Sequence, residues 1–76
     1  MKHETFIRVE GTGAPLLLIH GVGLDHTMWD LVASSLAGHR RIVRYDMMGH
    51  GRTPDLPGDR SIADFVSELL HVVQSQ

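Results

Sequence analysis

Cysteine is absent from the 76 residues, which excludes a disulfide framework and any thiolate metal site. The chain therefore lacks the covalent staples that small independent domains commonly use, and below about 70–80 residues one core seldom supplies much net stability. No apolar run approaches the ~18 residues that a membrane helix requires. Phe6-Ile7 is interrupted at once by Arg8, so the first residues form no signal-peptide core. Charge of one sign is scarce too: the net charge is −2, whereas a nucleic-acid surface shows as a clustered Lys/Arg excess. His39-Arg40-Arg41 is too short to be such a patch. The six histidines, His3, His20, His26, His39, His50 and His71, show neither HxH nor HExxH spacing, so no metal site is expected. Repeats, low-complexity tracts and linkers are missing as well. These absences point to a cytoplasmic globular sequence with no nucleic-acid or membrane partner.

What is present alternates between strand and helix patterns. Thr5–Glu10 is rich in strand formers and reads as a half-exposed strand, punctuated by a turn over Gly11–Pro15. Leu16-Leu17-Leu18-Ile19 is an unbroken apolar run of the kind buried on both faces of a parallel sheet. It stops at the flexible loop His20-Gly21-Val22-Gly23. Thr27 can cap the following helix with Asp30 three residues on, Met28, Leu31, Val32 and Leu36 form its apolar face, and Gly38 is placed as its left-handed stop. Arg41–Tyr45 is the next core strand, ending at Asp46, and a long loop runs through residues 47–59. Ser61 and Asp64 form a second capping box. Behind them Ile62, Phe65, Val66, Leu69, Leu70 and Val73 mark an amphipathic helix of about four turns.

This order predicts an α/β architecture, mostly parallel with helices on both faces. Leu16–Ile19 wants cover on each side, which two helices and about three strands cannot supply. The 76 residues read as one partial domain of a larger sheet, because an uncovered apolar edge invites aggregation.

Ligand sites of open α/β sheets lie beyond the carboxyl ends of the strands. Two loops lie there: His20-Gly21-Val22-Gly23-Leu24-Asp25, and Asp46-Met47-Met48-Gly49-His50-Gly51-Arg52-Thr53. An apolar strand ending in H-G-x-x, Trp29 at the first helix, and a second strand ending in D-x-x-G-x-G-x-[ST] together resemble the α/β-hydrolase superfamily over residues 5 to about 73. In that family acyl transfer generates an oxyanion that needs preorganised donors. The resemblance implies that the Val22 N–H supplies one of them, with Gly23 as a second candidate, and that the residue after the nucleophile supplies the other. Gly21 would let the loop turn without a Cβ clash. Gly23, Leu24 and Trp29 are candidate substrate-pocket residues. His20, Gly21, Asp46, Gly49 and Gly51 are candidate loop-structuring residues, Asp46 by accepting backbone N–H groups of the Gly49-His50-Gly51 turn. Arg52 and Thr53 would brace that loop, and Met47 and Met48 read as gap-fillers or partly exposed loop residues.

The family nucleophile sits in G-x-S-x-G. Ser34, Ser35, Ser61, Ser67 and Ser75 all lack the flanking glycines, and neither the later acid nor the late histidine is present. The expectation is the N-terminal part of an ester, lactone or related small-molecule hydrolase of roughly 250 residues. It would need no cofactor and would be inactive as the 76 residues alone. The alternative is a non-catalytic module, completed by a partner or vestigial. A dinucleotide-binding pattern is superficially similar, but His26 stands where its third glycine belongs, and Asp25 sets a carboxylate near the phosphate position.

Overall fold

The computed structural model describes residues 5–55, 58 and 60–76. Strand β1 (Ile7–Glu10) is followed by β2 (Ala14–Ile19), and a 3-10 turn (His26–Trp29) leads directly into helix α1 (Asp30–Leu36). Strand β3 (Arg40–Tyr45) and helix α2 (Ile62–Ser75) complete the order. β3 lies in the middle of a three-stranded sheet, parallel to β2 and antiparallel to β1. The parallel pair follows from the helical crossover between β2 and β3. The expected strands are present with shifted ends. The turn over Gly11–Pro15 is shorter than expected because Ala14 and Pro15 already pair with Arg40 and Arg41.

The helices cover opposite faces. Val43 and Tyr45 pack with Val72 of α2, joined by Ile7, Leu17, Met47 and Leu69. On the other face Arg44 reaches the 3-10 turn and α1, donating to the His26 carbonyl at 2.9 Å and to Asp30 at 2.7 Å. It also pairs with Glu10 at 3.1 Å, which ties β1, β3 and α1 through one buried guanidinium.

Burial differs from the sequence reading in an instructive way. The run Leu16–Leu18 is only half-buried and Ile19 is exposed, because β2 is an edge strand in this chain; β3 takes the central place. The apolar face expected for the first helix is open: Leu31 is 84% exposed, and Met28 and Val32 are exposed too, while Ala33 is the residue fully buried. On α2 the expected stripe divides. Phe65 and Leu69 are half-buried alongside buried Glu68 and Val72, whereas Ile62, Val66, Leu70 and Val73 face outward. Such exposed apolar faces suit a sheet that continues beyond these strands. The radius of gyration, 12.6 Å, also exceeds the value of about 11 Å for a compact chain of this length.

Two caps differ in detail. Asp25, rather than Thr27, caps the 3-10 turn: its carboxylate accepts the Thr27 N–H at 2.8 Å and the Thr27 hydroxyl. Those two bonds, the hydroxyl's first, hold the Asp25 carboxyl below its ordinary range. Gly38 has no left-handed φ; α1 instead ends in a tight turn closed by His39 N–H to Leu36 O. The second capping box forms as expected, with the Ser61 N–H donating to Asp64 at 2.8 Å.

Tyr45 is the single tyrosine, and burial first, with the nearby Glu68 charge second, pushes its hydroxyl up to about 12. A folded value above the ordinary one gives a contribution that is intact below pH ~10. It is lost as pH rises through the folded value. Phenolate absorbance should therefore appear with a midpoint near 12, accompanied by a decline in stability over the same window. Ionisation at the ordinary value with the fold intact would contradict this packing.

Candidate active site

Both loops at the carboxyl ends of β2 and β3 converge on Asp46, which is fully buried. Its Oδ1 accepts the His26 N–H at 2.7 Å and lies 2.8 Å from His26 Nδ1; its Oδ2 accepts the Arg52 N–H at 2.8 Å. Burial alone would raise this carboxyl, but the bonds from Arg52, the His26 amide and the His26 ring outweigh it, and the group titrates below its ordinary range. The donors are thus Arg52 and His26, not the amides of the Gly49-His50-Gly51 turn that the sequence suggested. The turn serves differently. Gly51, at φ +50°, lies so close to the carboxylate that a Cβ there would overlap it. Glycine at 51 is what allows Asp46 to sit inside the loop.

Thr53 braces the loop as expected, donating to the Asp46 carbonyl at 2.7 Å and accepting the Phe6 N–H at 2.9 Å. Arg52 does so through its backbone and through its guanidinium, 5.1 Å above the Phe6 ring. Phe6 in turn packs against His26 at 4.8 Å.

His20 is buried, and its ring joins the two loops: Nε2 accepts the Met47 N–H at 3.0 Å, and Nδ1 lies 2.8 Å from the Gly21 carbonyl. Gly21 itself has an ordinary φ, and a Cβ there would meet only a normal contact with Leu24. Nothing in the packing of the described residues demands glycine at 21. Next along the loop, the Gly23 N–H is taken by His50 Nε2 at 3.1 Å. The Val22 N–H has no partner among the described residues, and its side chain is 88% exposed.

Between the loops runs an open groove of about 500 Å³, lined by Gly23 to Asp25, Thr27, Met28 and Gly49 to Gly51. It thus includes Gly23 and Leu24, and Val22 adjoins it. Trp29 lies outside that lining, half-buried with its indole N–H enclosed. Ligand atoms of Asp25, His26 and Asp46 fall within 4.8 Å of one another. Asp25 Oδ1 holds Thr27, and Asp46 holds Arg52 and His26, so these atoms act as hydrogen-bonded braces of the two loops.

Sequence reasoning missed His26, His50, Arg44 and Glu68. Glu68 is 1% exposed; it accepts the Met48 N–H at 2.8 Å and the Thr5 hydroxyl at 2.9 Å, which pins α2 to the second loop. A signal existed: Glu68 lies three residues after Phe65 and four before Val72, on the helix's inner face. Glu68→Leu should cost about 1–3 kcal/mol in urea denaturation, since it strands a buried amide. Glu68→Gln keeps an acceptor and should cost clearly less. Equal losses from both would show that the Met48 bond is not what the carboxylate supplies.

Comparison with known proteins fits this arrangement. The chain is 33% identical over 66 residues to (E)-2-((N-methylformamido)methylene)succinate hydrolase of Acinetobacter baylyi, covering 87% of this chain and 25% of that protein. Its fold superposes on a marine microorganism esterase with TM-score 0.88 and 29% identity, over 99% of this chain and 29% of that one. It likewise matches bromoperoxidase from Bacillus anthracis, with TM-score 0.87 and 28% identity over 96% and 27% of the two chains. The chain spans about a quarter of the length of the curated relatives it matches. The strands and helices of the described residues form part of an α/β-hydrolase fold. With the family matched over residues 16–76, from the apolar strand through both loops to α2, the chain belongs to the alpha/beta hydrolase family.

Proposed function

We propose that this chain is the opening segment of a hydrolase acting on an ester, lactone or related small molecule, and that it supplies one oxyanion donor, the Val22 N–H. The observation that carries the reading is the contrast between neighbouring amides. Gly23's is held by His50, and Val22's has no partner among the described residues, on a loop tied to the second one through His20 and His50. A donor of this kind must be free in the resting site and fixed in place before charge develops. Relatives named as hydrolase and esterase support the reaction class.

The nucleophile, its acid and its base would come from residues outside these 76, as would the cover for Leu31 and Ile62, which are 84% and 79% exposed. The substrate is a small molecule, the reaction needs no cofactor, and the setting is cytoplasmic in this reading. Those exposed apolar residues equally suit a chain completed by a separate partner. One experiment separates the two. The reading frame is expressed through Gln76 to its stop codon, beside the 76 residues alone, and both are assayed on nitrophenyl esters and a lactone. Turnover by the longer protein with none by the 76 residues is the expected result. Turnover by the 76 residues alone, or a frame that stops at Gln76, would defeat it.

A further inference from the structure

The two loops are latched by histidines that work in opposite directions. His20, after β2, accepts an amide of the second loop, Met47 N–H, while His50, in the second loop, accepts an amide of the first, Gly23 N–H. A backbone N–H can only donate, so each Nε2 presents a lone pair. The hydrogen then sits on Nδ1, facing Gly21 O from His20 and Met48 O from His50 at 2.8 and 3.0 Å. Both rings are therefore in the same neutral tautomer, 5.0 Å apart.

We propose that His50 is a positioning residue for the oxyanion donor: by engaging the Gly23 N–H it fixes the loop with Val22 as the donor left free. The proposal rests on the hydrolase reading above. Two consecutive amides could each serve, and Gly23 has no side chain to hold it. It sits at φ +84°, with nothing within 4 Å of where a Cβ would lie. Across Val22 to Leu24 the other amide bond is Leu24 N–H to Gly21 O, which closes a turn within the loop and ties it to nothing outside. The His20 ring holds the start of this turn, at the Gly21 carbonyl, while His50 tethers its Gly23 amide to the second loop and lines the groove where the substrate would sit.

Amide hydrogen exchange in the intact protein tests this, comparing wild type, His50→Phe and His50→Gln, with the Val43 amide as a reporter of the sheet. In wild type the Gly23 amide should exchange about tenfold slower than that of Val22, as one hydrogen bond allows. A scalar coupling should also link the Gly23 nitrogen to His50 Nε2. His50→Phe should abolish the difference and lower kcat while KM holds; His50→Gln, whose Oε1 can accept, should restore part of both. Equal exchange of the two amides in wild type without the coupling, or an unchanged kcat in His50→Phe, overturns the proposal. Where His50→Phe also loses Val43 protection, the wild-type coupling and His50→Gln decide. An inert wild type fails the hydrolase reading itself, whatever the amides report.

Discussion

Asp46→Ala should remove about 3–5 kcal/mol of stability, the cost of breaking a buried, hydrogen-bonded polar pair by deleting one partner. The deletion leaves the His26 amide, the His26 ring and the Arg52 amide facing a cavity without an acceptor. The urea midpoint of the variant should therefore fall well below that of the wild type in the intact protein. Asp46→Asn keeps one oxygen but turns an N–H2 towards a donor, so a smaller loss of about 1–3 kcal/mol is expected. The acid limb gives a second reading. Because the folded carboxyl titrates below its ordinary range, its contribution is present above pH ~3.9 and lost as pH falls through the folded value. Asp46→Asn should flatten that part of the stability profile. An unchanged midpoint in Asp46→Ala would mean the loops are held by something else.

Val22→Pro should lower kcat by about 10²–10³-fold with KM little changed, the effect of removing one oxyanion donor. Proline has no N–H to offer, and it replaces a side chain that faces solvent, so little packing is lost. Val22→Ala retains the amide and controls for the side chain; it should keep near wild-type turnover. Melting both variants beside the wild type separates a missing donor from a displaced loop. Equal activity of Val22→Pro and wild type would transfer the donor role to another amide.

Local patterns with a short reach were legible from residue order. The capping box at Ser61 and Asp64, the positions of the strands and the Thr53 bond to the Asp46 carbonyl each depend on a few neighbouring residues. Burial was harder, because the sequence pattern describes a larger sheet than these strands make. Leu16–Leu18 carry the signature of a central strand yet lie at an edge here, and Leu31 belongs to an apolar face left exposed among the described residues. The Asp46 role was foreseen in kind and missed in detail. Its partner His26 lies 20 residues away, brought in by the 3-10 turn that Asp25 caps, and no spacing rule encodes that meeting. His20 was legible as a loop-structuring residue, but its partner Met47 and the reciprocal role of His50 were hidden for the same reason: each ring's partner belongs to the other loop.

The most direct test of the proposed function is a structure of the intact protein with a phosphonate that mimics a tetrahedral intermediate. The Val22 nitrogen should lie about 2.7–3.1 Å from the anionic oxygen, with Gly23 N–H still on His50. An anion met instead by the Gly23 amide with His50 displaced, or by no amide of this loop, would contradict the account.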